Sequence, residues 1–386
     1  MPAPTIAVGA SCCLLLIVSC APPPSEAPAG PTTAPRSAPV ERTVTVTTDE
    51  APPIGIATAG TVCGGSLFAV DPRHAAVHEI RLSDGVRVRT FGGHGDAPES
   101  LASPETAAVD CEQHALHVKD SRGLAQFDLE TGTLVRRTAP APGQFGVSLG
   151  WSFVHNRSLV LSGYWSQSPG DLADRALENA LLGFSLGSRV DLSGDNARRP
   201  LLDLMSPACR QMGGDCFSTA ALDLLPSGGW VGCQGHADHV GIYGDDGALL
   251  RTIDIRSPRF QNDGTVARGS ASREARLRWQ QRNSVVRSCF AFGEHIVTVH
   301  YTFTGEGGTP ETGGAVPDVL MNVHHLDGTP VALDLSLRDM PVAKDATGLY
   351  VLVLGDARRT GGASRLELDV VRVIDETGAL NTGSLP

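Results

Sequence analysis

Apolar and polar positions alternate with a period of two from Phe68 to Thr138, and one pattern occurs there twice in succession. The first copy runs through Phe68-Ala-Val-Asp71, residues 77–82, a Ser83-Asp-Gly85 turn and residues 86–91. The second runs through residues 116–120 and 124–129, a Glu130-Thr-Gly132 turn and residues 133–138. Short alternating runs joined by tight polar turns predict antiparallel strands linked as hairpins. The turn signature returns at Asp246-Gly247, Asp327-Gly328 and Glu376-Thr-Gly378, and in weaker form at Gly187. Successive turn glycines lie 47, 55, 60, 81 and 50 residues apart. A unit of roughly 40–50 residues with several strands is the spacing of a propeller blade. The expected fold is therefore all-β: a six-bladed β-propeller of four-stranded antiparallel blades with short helical insertions, occupying residues 41–386. In its third blade, residues 189–192 and 200–204 compete for the outer strand. Residues 43–47 alternate cleanly and are expected to join a blade edge.

Phe91-Gly-Gly-His-Gly95, Pro104, Ala108-Val-Asp110, Val118-Lys-Asp120, Phe127-Asp128 and Gly132 together resemble one NHL-type repeat. The resemblance covers about residues 66–138 and continues elsewhere only as a periodic echo. It implies a six-bladed propeller, a fold that serves mainly as a binding platform, with a minority of lyases, lactonases and hydrolases. It bears on the fold much more than on any activity.

The N-terminus changes the picture. Residues 6–19 are almost wholly apolar yet too short to span a bilayer, as in an export signal. They end in Ile17-Val18-Ser19-Cys20, which resembles a bacterial lipobox and predicts lipidation of Cys20 after removal of a signal peptide at 1–19. No Lys or Arg precedes the apolar core, which leaves a plain secretory peptide or an uncleaved anchor as alternatives. Residues 20–40, rich in Pro, Ala, Ser and Thr, are expected to be a disordered tether. The domain would then be lipid-anchored in the bacterial envelope, outer membrane included, facing the periplasm or the exterior.

Three long insertions, at residues 166–180, 256–283 and 304–318, fall by strand register on one face of the ring. Elaboration confined to one face favours a site there. Residues 171–182 have the spacing of a short amphipathic helix. Residues 251–287 carry nine Arg and three acids, whereas the chain as a whole has a net charge of −11. Arg273, Arg276 and Arg278 beside Trp279 would suit stacking and bidentate contacts with an anionic partner. A solvated basic loop is the plainer reading. Nucleic acid is excluded as a partner by compartment and overall charge.

Six cysteines follow the leader: Cys63, Cys111, Cys209, Cys216, Cys233 and Cys289. An even number in an exported chain predicts disulfides. The natural candidates are 209 with 216, 63 with 111, and 233 with 289; buried thiols are the alternative for the last two residues. His236-Ala-Asp238-His239 has the best metal-like spacing, but no third and fourth ligands can be named, so no metal and no cofactor are expected. No nucleophile elbow, zinc-protease helix or phosphate loop occurs. The expected function is a non-catalytic, monomeric binding or scaffold module for a protein, glycan or small ligand on its elaborated loop face; Arg122, His236, Asp238 and His239 are further candidate ligand residues, the first three around the channel mouth. The alternative is a divalent-cation-dependent hydrolase or lyase at that mouth.

Overall fold

A computed structural model describes residues 35–47, 54–55, 57–139, 145–166, 184–192, 198–202, 220–261, 283–302, 317–354, 366–375 and 379–381. They belong to a compact unit that begins at Pro35. The chain enters through β1 (Arg36–Ser37) and β2 (Val40–Val46). Four sheets then follow in strict chain order. The first blade is β3 (Ala59–Cys63), β4 (Ser66–Asp71), β5 (Ala76–Arg81) and β6 (Arg87–Gly92). The second is β7 (Thr106–Asp110), β8 (Ala115–Asp120), β9 (Gly123–Asp128) and β10 (Leu134–Thr138). The third is β11 (Phe145–His155), β12 (Ser158–Ser166), β13 (Phe184–Asp191) and β14 (Arg198–Leu202). The fourth is β15 (Ala220–Leu224), β16 (Trp230–Gln234), β17 (His239–Tyr243) and β18 (Leu249–Asp254).

The last two blades draw on the N-terminus. Blade five is β19 (Val285–Phe292), β20 (His295–Thr302), β21 (Asp318–His325) and β22 (Pro330–Leu337), with β1 added in parallel at its outer edge. Blade six is β23 (Pro341–Lys344), β24 (Gly348–Leu354) and β25 (Leu366–Arg372), and its outer strand is β2. The two ends of the chain therefore close the ring within one sheet, and the expectation that residues 43–47 join a blade edge is met. Closure leaves blade six without an unpaired outer ladder edge along β25.

First strands of neighbouring blades adjoin one another and so line the central axis. Between the blades lie six hydrophobic clusters, one at each interface, including one between blade six and blade one that takes in Val46, Leu67, Ile80, Leu352 and Leu368. Strands sandwiched between two blades are covered on both faces, and every residue of β4 is buried. Outer strands are covered on one face only, and β6 alternates accordingly.

The turn glycines explain why the repeat is visible in the sequence. Gly85 and Gly247 have φ of 73° and 84°, which a side chain resists. A Cβ on Gly85 would also collide with the Thr45 carbonyl, and one on Gly247 with the Leu201 carbonyl. Both carbonyls lie on the outer strand of the preceding blade, so the glycine allows the hairpin to turn and the blades to approach.

Three expectations need correction. Gly187 lies inside β13 rather than at a turn, and Arg198–Leu202 is the outer strand of blade three. The link at 376–378 lies outside the described residues, and no hairpin joins β25 to its outer neighbour because β2 takes that place. The end of the Pro/Ala-rich stretch is part of the fold: Ser37 pairs with Ser336, and Ala38 is buried. The stretch 171–182, expected to be a short amphipathic helix, lies wholly outside the described residues, as does Cys20; among the described residues there is no helix.

Candidate functional site

The residues singled out at the channel mouth do not converge. Arg122 donates through Nη2 to the Gly95 carbonyl at 3.0 Å and through Nη1 to the Ser100 carbonyl at 3.5 Å. It fastens the loop between blades one and two. His236 is buried in blade four, with Nδ1 2.9 Å from the Ser284 carbonyl that leads into β19. Burial pushes its pKa down, so it is held as a neutral imidazole. His239 pairs instead with the exposed Asp238, Nδ1 to Oδ1 at 3.0 Å. Asp238 lines a cavity of about 300 Å³ with Asp254, Arg256, Ser257 and Phe260. Ser257 there already hydrogen-bonds the Asp334 carboxylate. Among the described residues, no group of three or more His, Cys, Asp or Glu is arranged to hold a metal ion. Arg273, Arg276, Arg278 and Trp279 lie outside the described residues, as do Cys209 and Cys216.

Cys63 and Cys111, on neighbouring first strands and their ends, are joined as a disulfide. Cys233 and Cys289 are not: both are free and buried, their side chains hydrogen-bonded to each other across the interface of blades four and five. Cys289 Sγ–H also lies 3.4 Å from the Ala221 carbonyl. Burial pushes the Cys289 thiol well above its ordinary value.

Sequence reasoning missed a different place. Around the axis, a cavity of about 160 Å³ is lined by Thr58 and Ala59 of blade one, Trp151 of blade three, Arg287, Ser288 and Tyr301 of blade five, and Asp339, Val342 and Leu352 of blade six. First strands start, and second strands end, at the same end of each blade. That end also carries the described residues flanking the three long insertions, so the cavity opens on the face that was expected to hold a site.

Three side chains of this cavity owe their position to β-bulges. Val286 pairs with His300 and Ser288 with Val299, which leaves Arg287 as the extra residue of β19. Pro341 pairs with Val351 and Ala343 with Tyr350, which leaves Val342 extra in β23. The register of β11 also slips between Ser148 and Ser152, the interval holding Trp151. A bulge takes one residue out of the ladder and re-aims its side chain. The first strands of blades one, two and four pair with their neighbours without any slip.

Arg287 is the charged member of this set. Its guanidinium lies over the Tyr301 ring, 5.6 Å from the centroid, and no hydrogen bond or ion pair engages it among the described residues. Desolvation lowers its pKa, as for a cation taken partly out of water. The exposed Asp339 stands at the rim, its Oδ1 accepting from the Met340 N–H at 2.7 Å. A signal existed in the sequence: Arg287 is the one charge in the run Ser284-Val-Val-Arg-Ser-Cys-Phe-Ala-Phe292.

Trp151 links this cavity to a second charged group on the axis. Its indole Nε1 donates to the Leu222 carbonyl at 3.1 Å, and the Lys344 ammonium sits 5.3 Å from its ring centroid and 5.0 Å from that of Phe292. Lys344 is ion-paired to Asp223 and donates to the Ala291 carbonyl at 2.9 Å, while the Ala291 N–H donates to Asp223 at 2.8 Å. Burial pushes the Asp223 carboxyl above the usual range, and Lys344 opposes that shift. This pair from blades four and six is fully engaged. Arg287 is not.

No protein-family model matches the chain, and no curated protein does. Among solved structures it is similar to a member of the DUF4221 family from Bacteroides vulgatus, with a TM-score of 0.58 at 9% identity over 86% of this chain and 97% of that one. It is similar also to a protein from Bacteroides fragilis classed as exported, with a TM-score of 0.50 at 8% identity over 86% and 94% of the two chains. Regucalcin, a calcium-binding protein from Agrobacterium tumefaciens, aligns with a TM-score of 0.46 at 14% identity over 87% and 97%. At such identities, what the chain shares with the first two is the propeller architecture.

Proposed function

We propose that the chain is a non-catalytic binding propeller of the bacterial envelope, anchored through a lipid on Cys20, whose axial cavity receives a small ligand bearing a carboxylate. The observation that carries this reading is Arg287: a half-buried guanidinium, placed in the cavity by a bulge and lacking a counter-charge among the described residues. Burying a cation without a partner costs folding free energy, and a ligand carboxylate would recover it through charge-assisted, bidentate hydrogen bonds. At about 160 Å³ the cavity is smaller than the roughly 300–1,000 Å³ of drug-sized sites, which suits a ligand of a few heavy atoms. Export is supported by the apolar run ending at Cys20, and the folded unit starts at Pro35, close enough for a short tether.

Two measurements test the reading. Thermal melting of the full chain is followed across a panel of small carboxylates; at least one raises the midpoint, and Arg287→Gln abolishes the rise. A panel without effect on the wild-type chain removes the ligand assignment. Cys20→Ser is expected to move the protein from the membrane to the soluble fraction, and an unmodified mature N-terminus at any other residue removes the anchor.

A further inference from the structure

The polar groups of the axial cavity are of opposite charge and unbridged. Arg287 lies inside and Asp339 stands at the rim, both line the same cavity, and neither has an ion-pair partner among the described residues. Tyr301 lies between their fields: Asp339 acts to raise its phenol pKa and Arg287 to lower it, beyond the rise caused by burial. A simple anion does not fit this arrangement well. Sulfate, phosphate or a dicarboxylate bound at Arg287 would meet the Asp339 carboxylate at the mouth, in a chain whose net charge is −11. A molecule carrying both charges satisfies both residues and is indifferent to the overall field.

The remaining walls fix the rest of the ligand. Trp151, Ala59, Val342 and Leu352 give an apolar surface beside the charged pair, and Ser288 and Thr58 supply hydroxyls. A volume of about 160 Å³ leaves room for one residue-sized molecule and excludes a peptide.

Resting on the reading of Arg287 as a carboxylate anchor, we infer that the axial cavity binds a free α-amino acid with an apolar side chain. Its carboxylate meets Arg287, its ammonium meets Asp339, and its side chain lies against Trp151 and Leu352. The geometry is a specificity device as well as a source of affinity, because each missing charge leaves a protein charge unpaired.

Calorimetric titration of the full chain with L-leucine, L-leucinamide and 4-methylpentanoate separates the possibilities. The amide lacks the carboxylate, and the acid lacks the ammonium. L-Leucine is expected to bind, and each analogue to bind at least about tenfold more weakly, the loss typical of one charge-assisted contact. Asp339→Asn should weaken L-leucine to the level of 4-methylpentanoate while leaving 4-methylpentanoate itself unchanged or tighter. Equal affinity for L-leucine and 4-methylpentanoate overturns the amino-acid inference and leaves the carboxylate reading standing. Binding of leucinamide as tight as that of leucine overturns both, as does the absence of binding by all three. The comparison of ligands on the unaltered chain stands even where a variant fails to fold.

Discussion

Blades one and two differ from blades five and six in a way that separates stability from chemistry. In the first pair, the inner ladders run without a slip, the interface is filled by Phe68, Phe91 and Phe127 with small apolar partners, and a disulfide ties the two blades together. In the second pair, both inner strands are bulged, the closing strands come from the far end of the chain, and a cation faces a cavity without an ion-pair partner among the described residues. A propeller can tolerate such irregularity on one side because each blade is held chiefly by its neighbours. Regular blades contribute packing that the irregular ones spend on presenting side chains.

The sharpest way to break this comparison is to open the ring. Deleting residues 1–46 removes β1 and β2, six ladder pairs against β25 and the buried Val46. The expected loss is about 5 kcal/mol or more, seen as a lower midpoint or lost cooperativity in urea. An unchanged midpoint would show that blade six stands without its borrowed strand.

Phe127→Ala, in the fully packed interface of blades one and two, should cost about 3–5 kcal/mol through lost burial and a residual cavity. Ligand binding in the axial cavity should be unaffected. A comparable loss of affinity would mean that the two sides of the ring are coupled.

The third test uses acid, and both sides contribute to it. Burial holds His117 of blade two at a pKa of about 4 and His300 of blade five at about 3, against an ordinary value of 6.5. Both folded values are depressed, so the unfolded chain takes up protons first as the pH falls. Their stabilising contribution is full above about pH 6.5 and is lost progressively as pH falls toward 4 and 3. Each contributes on the order of 3 kcal/mol. His117→Gln and His300→Gln should each flatten the acid limb of stability against pH; a limb that stays equally steep in both variants refutes the assignment.

The smallest effect on stability is the most telling about the site. Arg287→Met is expected to leave stability unchanged or to raise it by about 1 kcal/mol, since it removes a half-buried cation that has no ion-pair partner among the described residues. Asp223→Ala on the same axis is expected to destabilise by about 3 kcal/mol, because it leaves Lys344 unpaired. If Arg287→Met destabilises as much as Asp223→Ala, Arg287 is structural.

Much of the architecture was legible because its cause is local. The turns at Gly85, Gly132, Gly247 and Gly328 recur since each hairpin needs a positive φ. The count of six was right even though Gly187 lies inside a strand and residues 376–378 lie outside the described residues; blade period, not any single turn, carried it. Residues 43–47 could be read as an edge strand from alternation alone, whereas their partner could not, since β2 and β25 are separated by more than 300 residues of chain.

The candidate site was hidden for a related reason. Arg122, His236 and Asp238 stood out because their chemistry is conspicuous over a few residues, yet tertiary structure gives each its own local partners. Arg287, Trp151, Val342 and Asp339 come from three blades and are brought together only when the ring closes. The sequence by itself determined the strands, the turns, the blade period and the export-like leader, all properties of neighbouring residues. Tertiary structure decided which strand closed the ring, which residues were displaced into bulges and which charges have no ion-pair partner among the described residues, because each of those depends on what lies across an interface rather than along the chain.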